Sequence, residues 1–488
     1  MTPQQRTRPH VVVIGGGISG LAAAWSVLRK SAVPVDVTLL EASGRIGGDL
    51  RLIEIAGLTM DGGAEAMLQA RPEAVSLARQ VGLGRDIVYP ETTQASVLVG
   101  GRLRPLPARS LMGVPTDLEA LARADVLSIP ALLRLPLERN HGGEVLTEDV
   151  SVGALLRARL GNEVVDRLVE PLLGGVYAGH ADQLSLQASV PALYRALRKE
   201  PSVLRAAQQA MATSASQAGA RSGPVFAGIS GGVARLAHAI HAALIERGAT
   251  VRTHATVRGL ARVDGVWRIE VGPASSPEFV SADAVIVALP PKPAGRLLKS
   301  VSRAAAAGYA DAETASVGVV ALAYKRKDVL NLPVGSGYLV PPVENRPVKA
   351  VTIATSKWGW LGSAARSAEP DGLVLLRGSV GRLGDTELLQ RDDADLAALV
   401  HRDVRVPLGL RRRPVDSVVV RWGGALPQYA VGHVDRVARI RAAVAGVPGL
   451  GVCGAYFDGL GIAACIGAAQ SAATQALAGI GAALAARN

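Results

Sequence analysis

Apolar residues in this chain fall in short unbroken runs closed by glycine, and those runs set its elements. Val11–Ile14 is the first and reads as a buried strand. The turn "GGGISG" follows, and "LAAAWSVLRK" continues from it as a helix. A second run, Val35–Leu40, ends on Glu41, which completes a β-α-β unit. From about Leu103 to Pro191 the spacing turns helical and is punctuated by proline. The small-residue segment Ala212–Pro224 reads as a connector. Strand patterns resume in "IERGATVRTHATVRGL" and "WRIEVG", and "ADAVIVALP" is a buried strand ending at Pro290. Between about 300 and 440 strands alternate with loops, with one helix near "ADLAALVHRDV". The chain closes on an apolar strand, a glycine turn and a helix without charge from Gly459 to Ala486. About 20 apolar residues suffice to span a bilayer, but Gln470, Ser471, Thr474 and Gln475 interrupt this one. A buried helix packed on a sheet is therefore expected.

The order of patterns implies an α/β protein in which one domain is interrupted by a helical insert and then resumed. At roughly 150 residues per domain, 488 residues suit about three. Apolar residues make up 49% but aromatics only 3%, so small side chains fill the core and favour close helix–strand packing.

Gly15, Gly17 and Gly20 match G-x-G-x-x-G between strand and helix, and the acid Glu41 follows about 20 residues on. Gly15 permits the turn, Gly17 lets a pyrophosphate reach the backbone, and Gly20 lets the helix lie close to the strand. The helix N-terminus offers unpaired N–H groups and partial positive charge, and Glu41 can accept ribose hydroxyls. The extension "EASGRIGG" adds Arg45, Gly47 and Gly48. A second glycine pair with a phosphate-pairing arginine suits the longer arm of FAD rather than NAD. The N-terminal apolar run thus belongs to this motif and not to a signal peptide.

The net charge of +12 favours anionic partners. It does not favour nucleic acid, because the densest basic cluster is Arg411–Arg413 and no aromatic-interleaved basic patch occurs. That cluster reads as a solvated charge run. Cys453 and Cys465 have no ligand-like spacing, so neither a disulfide framework nor a zinc site is expected, and a reducing cytoplasm fits. His238 and His241 stand one helical turn apart without a third ligand, which favours a packed or solvent-facing pair over a metal site.

More specific are "GRLRPLPARSLMGVPT", "SVGALLRARLGNEVVDRLVEPLLGGVYAGHADQLSL", "GGVARL", "RWGGALPQYAVGH" and "GAYFDGLGIAACI". In this order, over nearly the whole chain, they resemble the protoporphyrinogen/coproporphyrinogen oxidases of the flavin amine oxidase superfamily. The resemblance implies a Rossmann-type FAD-binding domain in three pieces, 8–100, 224–295 and 441–487. It also implies a helical insert over 101–212 and a mixed-sheet substrate-binding domain over 296–440. It places Gly15, Gly16, Gly17, Ile18, Ser19, Gly20, Glu41, Ala42, Arg45 and Gly47 on the FAD diphosphate and adenosine, and the backbone of Val257 on adenine. Gly63, Ala64, Trp422, Gly454, Gly461 and Ile462 lie by the flavin, and Gly175, Val176, Tyr177 and Ala178 line the porphyrinogen cavity. His180 stands where the family usually has Asp, which affects a surface turn. Glu65 stands where eukaryotic relatives tend to carry a basic residue, and Lys357 is a candidate substrate contact.

The activity implied is a six-electron, oxygen-using oxidation of coproporphyrinogen III to coproporphyrin III in haem biosynthesis. Hydride passes from a meso carbon to N5 of non-covalent FAD, and hydrogen peroxide is released. No side chain need act as a catalytic base, in keeping with a sequence that has no triad, paired catalytic carboxylates or metal motif. The alternatives are protoporphyrinogen IX as substrate, an amine oxidase or carotenoid-type desaturase, and a non-catalytic porphyrin carrier serving a ferrochelatase-like partner. The expected place is the cytoplasm, with any weak peripheral membrane contact made by the insert near Leu106–Leu137.

Overall fold

The computed structural model describes residues 8–140, 143–218 and 224–485. Its centre is a five-stranded sheet in the order Thr250–Arg252, Asp36–Leu40, His10–Ile14, Ala284–Val287, Leu450–Val452, parallel throughout. The run Val11–Val13 is fully buried, as a parallel strand covered on both faces requires. Helices Ile18–Lys30 and Ile462–Ala485 pack on each other and on this sheet. Three separate stretches of sequence thus build one body.

The closing helix owes its composition to that packing. Ala463, Ala464, Ile466, Ala468, Ala469, Ala472, Ala473 and Ala476 are buried. A side chain at Gly451 would meet Ala472 O at 2.7 Å, so strand and helix touch through backbone. Lys30 Nζ donates to the backbone carbonyl of Gln470 at 3.2 Å and to Thr474 Oγ1 at 3.0 Å, which gives one of the polar interruptions, Thr474, a partner. Among the described residues no helix is long and apolar enough to cross a membrane.

A seven-stranded sheet forms the second body, in the order Asp416–Pro427, Thr314–Lys325, Leu373–Val380, Val348–Ile353, Gly337–Leu339, Ser96–Val99, Arg102–Pro105. It is mixed: Gly337–Leu339 runs parallel to Ser96–Val99 and the other pairs are antiparallel. One face packs under helix Asp393–Leu408 through Val320, Leu322, Val351, Val374 and Leu376. The other carries Ala321, Leu375, Val420 and Trp422 and meets Ile53 and Met60 of the hairpin Leu52–Asp61.

The described residues between Leu118 and Ala218 hold a series of helices packed around Leu121, Leu135, Leu156, Val165, Leu173 and Leu193. The expected connector begins differently. Ala212–Ala218 extends helix Val203–Ala218, because Val203, Leu204, Ala206, Ala207 and Ala210 anchor one face and the small residues beyond carry the turn onward. The remainder, 219–223, lies outside the described residues.

Candidate active site

The parallel strands end together at Gly15, Glu41, Ala288 and Cys453, the edge of an α/β sheet where ligands bind. Gly15, at φ +108°, turns the chain sharply, and its N–H donates to Leu40 O at 2.8 Å. A Cβ at Gly20 would stand 1.8 Å from Gly15 O, so the first helix presses on the turn. Gly17 caps that helix without a side-chain hydrogen bond. A Cβ there would meet nothing nearer than Gly48 Cα at 3.8 Å. The N–H groups of Ile18, Ser19 and Gly20 form the first turn of that helix and carry the positive end of its dipole.

The Glu41 carboxylate is fixed by Gly16 N at 2.6 Å and Ser43 N at 2.7 Å. Ala42 is exposed beside it. Gly47, at φ +103°, donates to Gly16 O at 2.8 Å and so ties the second glycine pair to the first. Ala255 N donates to Glu41 O and His254 N to Ser43 O, which brings the start of strand Val257–Val263 to the same edge.

Trp422 Nε1 donates to Gly62 O at 3.1 Å, and a Cβ at Gly63 would stand 3.0 Å from the Trp422 ring. The Arg45 guanidinium lies 5.6 Å from the centre of that ring. Arg45, Gly63 and Trp422, far apart in sequence, thus share one wall, and Ala64 is exposed next to Gly63. The closing strand arrives through Gly454, at φ +137°, and Gly461 has no atom within 4 Å of a built Cβ. Ile462 then starts the closing helix.

Beside Gly63 sits a buried ion cluster. Glu65 receives Lys357 Nζ at 2.6 Å and Arg377 Nη1 at 2.5 Å, and Arg377 also donates to Gly63 O. Burial alone would raise the Glu65 pKa, but the two cations override it and hold it down to about 2. Lys357 is therefore engaged by Glu65, and the acid at position 65 carries its own cations. Arg377 was not singled out by the sequence reading; the available signal was one arginine inside the apolar strand "LVLLRGSV". Its Nε has no hydrogen-bond partner among the described residues.

Of the four cavity residues expected on the insert, Gly175 and Val176 (47% exposed) are open. Tyr177 and Ala178 are buried and line no open surface. Tyr177 packs 5.5 Å from the Tyr429 ring and its carbonyl accepts from Gln428 Nε2. Ala178 is held by Leu383 N at 2.7 Å. His180 is more than a turn residue: Glu170, at 3.2 Å, raises its pKa against the opposing effect of burial.

Helix Glu170–Tyr177 crosses strands Gly337–Leu339 and Val348–Ile353. Thr352 pairs with Arg377 and Ala350 with Ser379, so these share a face of the sheet. Ala350, Thr352 and Ser379 are only half-buried although their strands are interior. That face is open between the ion cluster and Gly175. Among the described residues no group of His, Cys, Asp or Glu is arranged to hold a metal.

A model of the flavin containing amine oxidoreductase family matches residues 18–477. The coproporphyrinogen III oxidase of Bacillus subtilis (strain 168) is 31% identical over 96% of this chain and 98% of its own length. That of Mycobacterium tuberculosis is 36% identical over 95% and 96%. Among solved structures, a protein from Exiguobacterium sp. 255-15, provisionally assigned as a protoporphyrinogen oxidase, superposes with a TM-score of 0.83. It is 28% identical and covers 97% of this chain and 100% of its own. Matched over nearly its whole length, the chain is an FAD enzyme and belongs to the flavin containing amine oxidoreductase family.

Proposed function

We propose that the protein oxidises coproporphyrinogen III to coproporphyrin III. The observation that carries this reading is the charge on the open sheet face. Lys357 and Arg377 outnumber Glu65 there, which suits a polycarboxylate. Relatives named coproporphyrinogen III oxidase at 31–36% identity support it.

The residues fit FAD, since Gly17 and Gly461 leave open the space that side chains would fill. The first helix, from Ile18 to Gly20, would hold the diphosphate with Arg45 and Gly47. Glu41 would hold the ribose and Val257 the adenine. Gly63, Ala64, Trp422, Gly454 and Ile462 would border the ring. When bound, FAD supplies a two-electron acceptor for hydride from a meso carbon, and dioxygen regenerates it. Three such rounds remove six electrons and leave three molecules of hydrogen peroxide. The chain's own part is to bind, orient and shield. Loss of hydride makes a pyrrole N–H acidic enough to give its proton to water, so no side chain is assigned as base.

The test is porphyrin fluorescence against time, aerobically, with coproporphyrinogen III and protoporphyrinogen IX in parallel and peroxide measured. Faster enzyme-dependent growth with the former, with peroxide, is expected. Preference for the latter moves the assignment to protoporphyrinogen IX, and no growth above autoxidation with either removes it. A peripheral membrane contact would fall on Ile129, Leu133 and Leu137, an exposed stripe at helical spacing; loss of co-sedimentation with anionic vesicles in Leu133→Glu is the check.

A further inference from the structure

Lys349 is 3% exposed on the interior strand Val348–Ile353, and its ammonium has no hydrogen bond or ion pair among the described residues. An ammonium held this close to the core without an ion pair is disfavoured, and its nitrogen is not fully enclosed. Burial and then the neighbouring Arg382 bring its pKa down to about 7, with Asp385 opposing. Arg382 is fastened in place by donating to Val340 O at 3.1 Å, and Val340 N donates to the backbone carbonyl of Lys349 at 2.9 Å, so both residues meet at Val340. The carboxylate of Asp385 accepts from the Arg382 backbone N–H at 3.2 Å. Lys349 and Arg382 thus lie close enough to feel each other's charge, with Asp385 near both and Glu170 near Arg382.

Their position gives the pair a use. The ladder is bulged between Val348 and Ala350, beside the half-buried Ala350 and Thr352 of the open face. Across from them, a Cβ at Gly175 would lie 3.8 Å from Leu339, and Leu383, next to Arg382, donates to Ala178 O. The pair therefore adjoins the exposed Gly175 and Val176. Thr352, which pairs with Arg377, is three residues along the strand from Lys349, a separation of roughly 10 Å. The open face has one cationic centre beside Gly63 and another beside Gly175.

We propose that Lys349 and Arg382 bind a carboxylate of the substrate and set its preference for coproporphyrinogen III over protoporphyrinogen IX. The inference rests on the porphyrinogen reading above. Coproporphyrinogen III carries a propionate on each of its four pyrroles and can satisfy both centres at once. Protoporphyrinogen IX carries two, on adjacent pyrroles at one edge, and leaves one centre facing vinyl groups.

The test uses the FAD-loaded full chain and the variants Lys349→Met and Arg382→Met. It reads coproporphyrin III binding by fluorescence titration, kcat/KM for both porphyrinogens, and thermal unfolding. One lost charge-assisted contact corresponds to roughly tenfold to a hundredfold. In both variants the Kd for coproporphyrin III should rise by about that factor, and the copro-to-proto ratio of kcat/KM should fall with it. Lys349→Met should unfold at the same or a higher temperature than wild type, since it removes a buried ammonium; a purely structural lysine would move it the other way. Unchanged binding and ratio in both variants, or equal loss on both substrates, overturns the proposal while leaving the reaction intact. If wild type binds coproporphyrin III but oxidises neither porphyrinogen, the reaction fails instead. The loss of binding in the variants then still supports the carboxylate site.

Discussion

Lys357 Nζ lies 2.6 Å from Glu65 Oε1, with Arg377 2.5 Å from the other oxygen. The carboxylate is the counter-ion that lets two cations remain buried beside Gly63. Glu65→Gln should destabilise the protein by about 3–5 kcal/mol at pH 7, the usual effect of breaking a buried pair from one side. The pH dependence has a definite sign. The folded-state pKa is held near 2, below the ordinary 4.5, so the stabilisation is fully present above about 4.5 and is lost as pH falls toward 2. Thermal unfolding of both proteins across that range should show their difference shrinking with acid; a constant difference would mean that the carboxylate charge is not what matters.

Gly17 and Gly20 separate cofactor binding from folding. A Cβ at Gly20 would stand 1.8 Å from Gly15 O, so Gly20→Ala should give little soluble protein. At Gly17 the backbone, φ −70° and ψ 178°, suits any residue, and a Cβ meets nothing nearer than 3.8 Å. Gly17→Ala should therefore leave the FAD-free protein at least as stable, with a gain of up to about 1 kcal/mol. Its FAD affinity should nevertheless drop roughly tenfold or more, since the methyl occupies space the diphosphate needs. Apoprotein melting curves and FAD titration decide; tight FAD binding by Gly17→Ala would remove this turn from the cofactor site.

Much of this was legible in the sequence, for identifiable reasons. The β-α-β unit with Glu41 could be read because a turn that must meet a backbone needs glycine at fixed spacing. The closing helix could be told from a membrane span because polar side chains interrupt it, and one of them, Thr474, meets Lys30. Arg377 and Lys349 escaped notice because a single cation inside an apolar strand has no periodicity to betray it. What makes them matter is register: Thr352 opposite Arg377 and the bulge at Lys349. Tyr177 and Ala178 are buried beside the open Gly175 and Val176, because the helix ends at Tyr177 and Ala178 turns away at φ +50°, and no run of letters signals that turn.

Both cysteines should be inert. Burial pushes the Cys453 thiol far up and Cys465 to about 11, which suppresses the thiolate that any coupling to the flavin would need. Native protein should react with a thiol reagent at neither position, and unfolded protein at both. FAD should leave intact on acid denaturation. Flavin retained on the precipitated chain would contradict non-covalent binding.

His433 is 1% exposed, stacked 4.1 Å from the Tyr429 ring and edge-on to Tyr456 at 4.9 Å. Burial, and secondarily Arg436, bring its pKa down to about 4, against the pull of the Tyr456 backbone and Asp149. The unfolded chain takes up this proton below about 6.5 and the folded one only near 4, so stability falls as pH falls through that window. His433→Phe keeps an aromatic of similar size between the two tyrosines but removes the titration. Near pH 7 the variant should match wild type within about 1 kcal/mol. By pH 4 it should be the more stable of the two by about 3 kcal/mol, the free energy of the shift. Denaturant unfolding at both pH values measures this directly; parallel loss of stability in both proteins would place the acid sensitivity elsewhere, and would leave the ring as packing between Tyr429 and Tyr456 and nothing more.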